Sequence, residues 1–393
     1  MDFLTLSGKK SMQPVKILKG PRQVGKTTLL TSLPGYKLIS LDDLSIRNLA
    51  SENPKQFLDQ FQGPLILDEV TYAPQLFPEI KLRVDQYKLN RLNQNSTKSI
   101  AMEIDYWLTG SNQTLLTDSV GESLAGRSSY FDLNTLSISE IKSDHLPTLM
   151  MQGGWPELYS NPDVQYVSYL NDFIATFIEK DIVAASGIKQ TAAFSKVLQL
   201  ISGRIGQLMN FSDIAQNVGV ESTTVQNWTH RFEQNGLLRV VQPYFTNLNQ
   251  RLIKSPKIYF EDVGLAIRMQ GWRDYEPFYL SPSFGHLVEN LALIQFVRYF
   301  QNCGEKIEVH FVRSKEKVEV DFLISLSNQK WLAVEVKSSP QDWTEKQLSL
   351  SQSLHLDIVE RWTVCPQHTN IGLKNSRLIS IFQIEEELRR LLS

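Results

Sequence analysis

The sequence predicts an α/β protein that opens on a parallel sheet with helices on both faces, and three observations predict it. Short apolar runs recur through the first third of the 393-residue chain, at Val15–Leu18, Tyr36–Leu41, Pro64–Leu67 and Tyr106–Leu108. Helical stretches separate them. Each run ends on a polar cluster: the glycine loop from Gly20, Asp42-Asp43, Asp68-Glu69 and Thr109-Gly110-Ser111-Asn112. Short strands that are apolar throughout, alternating with helices, belong to sheets buried on both faces. In such sheets ligand crevices lie beyond the C-terminal strand ends, where these polar clusters fall.

The first run, Val15-Lys16-Ile17-Leu18, leads into Gly20-Pro21-Arg22-Gln23-Val24-Gly25-Lys26-Thr27-Thr28. This fits GxxxxGK[ST] at every fixed position and is expected to hold ATP. Gly20 and Gly25 let backbone N–H groups turn inward around phosphates, so the loop from Gly20 to Thr28 is the candidate nucleotide cradle. Lys26 is placed to neutralise the β and γ phosphates and the Thr27 hydroxyl to ligate Mg²⁺, with the N-terminus of the following helix adding partial positive charge.

The third run ends in Leu67-Asp68-Glu69, the pattern of a Walker B strand. Two adjacent carboxylates at a strand end are costly to bury without a cation. Asp68 is the candidate Mg²⁺ holder and Glu69 the candidate for orienting or activating the attacking water. After the fourth run, Ser111 or Asn112 is placed to sense the γ phosphate, with a plain polar turn as the alternative. Arg127, in Leu124-Ala125-Gly126-Arg127, has three open readings: reaching the phosphates in cis, entering a neighbour's site, or an ordinary salt-bridged arginine.

Composition narrows the rest. A chain of 393 residues favours two or three domains. Hydrophobic content of 42% and charged content of 21% are those of a globular protein. The balance of 40 basic against 42 acidic side chains demands neither a nucleic-acid nor a membrane partner. Cys303 and Cys365 form no CxxC or Cys/His cluster, which argues against structural zinc and against a disulfide framework. The first sixteen residues have no signal-type apolar segment, and no run of about 18 apolar residues occurs. The expectation is a cytoplasmic protein with no membrane span.

Further along, Lys88–Ser99 is polar and weakly patterned and reads as an exposed loop. Gly153-Gly154-Trp155-Pro156 reads as a turn and a domain junction. From about Val164 to Val241 the chain is mainly helical. Within it Phe211–Ala215 starts a short helix, Val218-Gly219-Val220 turns, Thr223–Asn235 forms a second helix and Gly236–Val241 a strand, the outline of a winged helix-turn-helix. The second helix carries Thr223, Thr224, Gln226, Asn227, Thr229, His230 and Arg231, side chains able to touch bases or phosphates. With one arginine and no lysine, a protein-packing role stands beside a DNA one. After Gly285, Leu287–Phe300 reads as an amphipathic helix, Val318–Ile324 and Trp331–Val336 as paired strands, and Gln383–Leu392 as a closing helix. The expected division is residues 1–145, a P-loop ATPase domain; 146–275, a helical and winged-helix region; and 276–393, a second α/β domain.

GPRQVGKTTLL, LDEVTYAPQLFPEIKLRVD, LTGSNQTLL and LAGR occur in this order. Together they resemble the AAA-type ATPases of prokaryotes related to the archaeal ATPase and origin-recognition lineage. Members of that group usually carry a C-terminal domain of unknown function, and Gly153–Glu157, Gly285–Asn290, Glu319–Phe322 and Glu335–Lys337 resemble parts of it. The resemblance spans about Ile17 to Ser338 and implies nucleotide binding and hydrolysis. Two departures stand out: the stretch ahead of the loop is shorter than usual, and Thr71 stands where similar proteins often have Gln.

The order Glu289, Asp321, Glu335-x-Lys337 resembles the restriction-endonuclease-like fold, which includes Holliday-junction resolvases. There the carboxylates hold a divalent metal and the lysine steadies the attacking water. Glu335 and Lys337, two apart on a strand, share a face. The resemblance makes Glu289, Asp321, Glu335 and Lys337 a candidate second metal site, with a retained fold that has lost its chemistry as the alternative. The expected activity is Mg²⁺-dependent ATP hydrolysis coupled to C-terminal modules that act on DNA. A nucleotide-gated protein scaffold and an ATP-regulated nuclease are the alternatives, with the oligomeric state left open.

Overall fold

The computed structural model describes residues 13–93, 104–111, 113–176, 182, 188–244, 255–367 and 371–393. The described residues up to Asn134 form one compact unit and those from Thr135 onward a second.

In the first unit, β1 (Val15–Lys19), β2 (Lys37–Ser40), β3 (Leu65–Asp68), β4 (Tyr106–Thr109) and β5 (Ser128–Asp132) form a parallel sheet in the order β2-β3-β4-β1-β5. The apolar runs are continuous because both faces are covered. Ile17, Leu65, Leu67 and Leu108 pack on one side with Phe57, Phe77, Ile80 and Val84. Leu18, Ile66 and Trp107 pack on the other with Leu30. Alternate residues of a strand thus enter different cores, and each fully buried aliphatic side chain contributes about 1.5–3 kcal/mol. β5 was not expected: Ser-Ser-Tyr-Phe-Asp is an edge strand with no fully buried residue, so it lacks the apolar run that marks the others.

The expected loop Lys88–Ser99 is corrected over Lys88–Asn93, and residues 94–99 lie outside the described residues. Leu76–Asn93 is one helix, anchored by the buried Leu76, Phe77, Ile80 and Val84 and carried on past Tyr87 with Leu89 and Leu92 exposed. Helix-compatible residues extend a helix whose inner face is already packed.

The second unit contains the helices Thr191–Ser202, Phe211–Val218 and Ser222–Gln234, followed by β6 (Leu238–Pro243) and β7 (Lys257–Phe260). Asn210 caps the middle helix through Asp213 N–H, and left-handed Gly219 (φ 81°) ends it. Phe194 joins the first helix to the third against Trp228 and Phe232, with ring centroids 5.5 and 4.3 Å away. β6 and β7 are antiparallel, and Leu208 makes an isolated antiparallel bridge to Lys257.

The hairpin does not stand free. β6 also runs parallel to β8 (Val309–Arg313), pairing Gln242 with His310 and Pro243 with Phe311. With β9 (Glu319–Ser325), β10 (Lys330–Val336), β11 (Asp357–Cys365) and β12 (Arg377–Ser380) this makes one seven-stranded sheet in the order β12-β11-β10-β9-β8-β6-β7. The expected pairing of the two strands around 318–336 is the antiparallel β9–β10 ladder.

One sequence expectation changes here. The Phe284–Asn302 helix is not amphipathic but buried all round from Leu287 to Phe300. Its polar residues have partners: Asn290 exchanges two 2.8 Å bonds with the Phe260 backbone, Gln295 accepts from Ile138 N–H at 2.9 Å, and Arg298 pairs with Glu261 at 3.1 Å. Gly153-Gly154 forms the expected turn, and it is a buried close approach. Gly154 N–H donates to Asp262 Oδ2 at 2.8 Å, and a Cβ on Gly153 would lie 2.1 Å from Asp262 Oδ1.

Among the described residues, no helix is long and apolar enough to cross a membrane.

Candidate functional site

The glycine loop leaves β1 at Gly20, whose φ of 151° and position admit no side chain: a Cβ there would lie 1.9 Å from the Leu133 carbonyl oxygen. The loop then turns through left-handed Gln23 (φ 64°) and Gly25 (φ 87°) into the Lys26–Thr31 helix. Pro21 and Val24 are buried, whereas Arg22, Gln23 and Thr28 are exposed. Lys26 Nζ donates to the Gly20 and Pro21 carbonyls, both at 2.8 Å. Burial pushes the Lys26 ammonium down to about 8, against the pull of Glu69 and Asp68.

Adjacent β3 and β4 bring the other candidates to the same sheet edge. Thr27 Oγ1 donates to Asp68 Oδ2 at 2.9 Å. Glu69 sits in the left-handed region (φ 54°), an unusual conformation for a residue with a side chain, where strain of about 1–3 kcal/mol is tolerated at functional positions. Its Oε2 accepts from Ser111 N–H at 2.9 Å and from the Ser111 hydroxyl at 3.0 Å. Burial raises the Glu69 carboxyl above its usual range, and the two Ser111 bonds oppose that rise. Thr71 packs over Gly110, where a Cβ would meet its side chain at 3.3 Å.

Lys26, Thr27, Asp68, Glu69 and Ser111 are therefore brought together. A hydroxyl and a carboxylate in contact are hard oxygen donors of the kind Mg²⁺ takes. Arg127 is held elsewhere: Nε donates to Asp85 Oδ1 at 2.6 Å and a terminal nitrogen to Asp85 Oδ2 at 2.9 Å. Asn112 lies outside the described residues.

In the second unit, carboxylates from three elements converge. Oxygens of Glu289, Glu319 and Asp321 all lie within 4.8 Å of one another. Continuing the β9–β10 register places Glu335 opposite Asp321. Asp321 Oδ2 accepts from Val336 N–H at 2.8 Å, and Glu335 Oε1 takes the Lys337 ammonium at 2.5 Å. Glu335 Oε2 is buried without a hydrogen-bond partner.

A cation from upstream sits among these groups. Lys257 Nζ contacts Glu289 Oε1 at 3.0 Å and also pairs with Glu319. Tyr259, two residues on, donates to the same Glu289 oxygen at 2.5 Å, and Arg313 pairs with Glu319 at 2.8 Å. Burial pushes the Asp321 carboxyl well above its usual range, with Glu335 and Glu289 adding to the rise. Burial also raises Glu335, against Lys337. Burial presses Glu289 upward too, but Lys257, His286 and Tyr259 outweigh it and hold this carboxyl low.

On the Ser222–Gln234 helix, Thr223, Gln226, Asn227 and His230 are exposed. Thr229 is buried and bonds back to the Val225 carbonyl at 2.8 Å, so it leaves the set of surface candidates. Arg231 donates to Gln234 at 3.2 Å.

Comparison with known proteins divides the chain in three. Residues 12–142 match the family model described as AAA domain. Residues 12–142 are an AAA-type P-loop domain. Residues 143–276 and 284–384 match two families described as domains of unknown function, DUF8612 and DUF4143. The chain is similar to an uncharacterized protein of Mycobacterium tuberculosis, 28% identical over 324 residues, covering 80% of this chain and 68% of that one. It is also similar to an uncharacterized protein of Haemophilus influenzae, 21% identical over 336 residues and 79% of each chain. Among solved structures it resembles the ADP form of the Aeropyrum pernix ORC2 protein (13% identity, TM-score 0.26, 61% of this chain and 84% of that one). It likewise resembles a RuvB mutant of Thermotoga maritima (14% identity, TM-score 0.27, 60% and 85%).

The AAA-type domain thus carries its motif residues at one sheet edge, where the sequence put them. The C-terminal cluster contains four residues that reasoning from the sequence missed: Lys257, Tyr259, Arg313 and Glu319. A signal was present. Lys257-Ile-Tyr259, Glu319-Val-Asp321 and Glu335-Val-Lys337 are three polar-x-polar triplets on strands, each with both polar residues on one face.

Proposed function

We propose that the chain binds Mg²⁺-ATP in its AAA-type domain, hydrolyses it, and passes nucleotide state to the C-terminal unit. What carries this reading is the Thr27–Asp68 contact at 2.9 Å, with Lys26 and the Ser111-bound Glu69 at the same sheet edge. Lys26 and the loop from Gly20 to Thr28 hold the triphosphate. Thr27 and Asp68 hold the Mg²⁺, which when bound neutralises phosphate charge. Ser111 orients Glu69, which takes the proton of the attacking water. The exposed Thr223, Gln226, Asn227 and His230 favour DNA as the partner of the helical region, read as a winged helix.

The test is steady-state ATP hydrolysis with Mg²⁺, with and without double-stranded and branched DNA, for the wild type, Lys26→Ala and Glu69→Gln. Hydrolysis that needs both residues and rises with DNA is the expected result. Lys26-dependent ATP binding with no turnover in any condition would replace the motor by a nucleotide-gated scaffold.

A further inference from the structure

The carboxylate cluster of the second unit contains its own cation, delivered by another segment. Lys257 stands on β7, within the segment 143–276, while Glu289, Glu319, Asp321 and Glu335 stand within 284–384. Its backbone is pinned twice, by pairing with Val241 and by the Leu208 bridge. Only 1% of its side chain is exposed. The ammonium lies 5.3 Å from the ring centre of Phe311, on β8, and touches Glu289 and Glu319. Left-handed Gly206 (φ 68°) lies over this group, where a Cβ would fall 3.2 Å from both Glu289 Oε2 and His286 Nδ1.

Charge decides what this cluster accepts. Four carboxylates face three fixed cations, Lys257, Arg313 and Lys337. Even with all four carboxylates ionised, at most one negative charge is left over, and Glu335 Oε2 is buried with no hydrogen-bond partner. A divalent ion entering here would leave the pocket over-neutralised and would compete with an ammonium for the same oxygens. Without Lys257 the fully ionised carboxylates would carry two uncompensated negative charges, which match one divalent cation, with hard oxygen ligands already converged.

We infer that Lys257 is the resident cation of the Glu289–Glu319–Asp321–Glu335 cluster, and that its side chain closes this site to oxygen-ligated divalent metals. The lysine fills the place a metal would take. Removing it converts a closed ionic core into a divalent-cation site. This inference is independent of ATP hydrolysis by the AAA-type domain.

The experiment uses the full chain, nucleotide-free, in an Asp68→Ala background so that the β3 carboxylate takes no part. Mn²⁺ is the probe, read by calorimetry and by the thermal midpoint. The Lys257-bearing protein is expected to show no saturable Mn²⁺ binding and no Mn²⁺-dependent rise in midpoint. Lys257→Met is expected to bind one Mn²⁺ per chain at least about tenfold more tightly than its parent and to melt higher with Mn²⁺ than without. Adding Asp321→Asn should remove both effects, and Lys257→Arg should behave as the parent. If Lys257→Met does not fold alone, Mn²⁺ should restore a cooperative melt. The inference is overturned if the parent binds Mn²⁺ equally well through Asp321. It is equally overturned if Lys257→Met folds and binds none, or fails to fold even with Mn²⁺ present.

Discussion

Ser111 turns two donors, its backbone N–H at 2.9 Å and its hydroxyl at 3.0 Å, onto a single carboxylate oxygen of Glu69. Both bonds favour the ionised carboxylate, while burial favours the protonated one. In the proposed mechanism Glu69 must be ionised to accept a proton, so hydrolysis is expected to be lost as pH falls through its raised pKa. Ser111→Ala removes one of the two opposing bonds and raises that pKa further. The acid limb of the kcat–pH profile is expected to move to higher pH, with the alkaline limb unchanged. An unmoved acid limb would disconnect Ser111 from the ionisation of Glu69.

Lys26 rests on two backbone carbonyls, with burial lowering its pKa to about 8. In nucleotide-free protein near pH 8 it is therefore about half protonated, and a bound triphosphate draws it to the fully charged form. ATP binding at that pH should take up about half a proton per chain. Calorimetry in two buffers of different ionisation enthalpy measures this. The uptake should fade toward pH 6.5 and vanish in Lys26→Met. Buffer-independent heats in the wild type at pH 8 would contradict it.

Two loop glycines are needed for different reasons. A Cβ on Gly25 meets nothing within 4 Å, so Gly25→Ala carries only the left-handed penalty of about 1–2 kcal/mol. At Gly20 the obstacle is the Leu133 carbonyl, whose residue is itself bonded to Lys19 at 2.7 Å. Gly20→Ala must part β1 from the strand beside it. Denaturant unfolding should rank Gly20→Ala as clearly the more damaging. The reverse order would mean that this strand pair separates cheaply.

Asp262 is buried, with one oxygen accepting Gly154 N–H at 2.8 Å and the other Leu265 N–H at 2.9 Å. Asp262→Asn keeps one acceptor and strands the other donor, at a cost of about 1–3 kcal/mol. Burial raises the Asp262 carboxyl above its usual range, so the folded protein holds this proton more tightly than the unfolded one. Its contribution is full below the unfolded pKa and declines as pH rises through the folded value. The stability gap between wild type and Asp262→Asn should narrow over that acid window and then stay constant. A gap that widens with rising pH would reverse the sign of the shift.

The AAA-type domain was legible because its strands are apolar on both faces and its chemistry follows directly at strand ends. Lys26, Thr27, Asp68 and Glu69 need only the helix after β1 and the end of β3 to meet. β5 escaped because an edge strand needs no apolar run, and Asp85 could not be foreseen as the partner of Arg127 from 42 positions away. The Phe284–Asn302 helix misled for a related reason: Glu289, Asn290 and Arg298 look like a solvated face, yet each is buried against a partner drawn from 257–262. Pairings made only by the tertiary fold leave no local period to read. Lys257 is the extreme case, a lysine in an ordinary strand whose role exists only where three other elements converge.

The parallel seam between β6 and β8 also bears on how the second unit comes apart. β6 is hydrogen-bonded on both sides, to β7 and to β8, and therefore belongs at once to the helical segment and to the sheet that follows it. Neither can lose its order without tearing the other's ladder. Heat should disorder 143–276 and 284–384 in one calorimetric peak, and a protease nick between them should leave the two fragments associated.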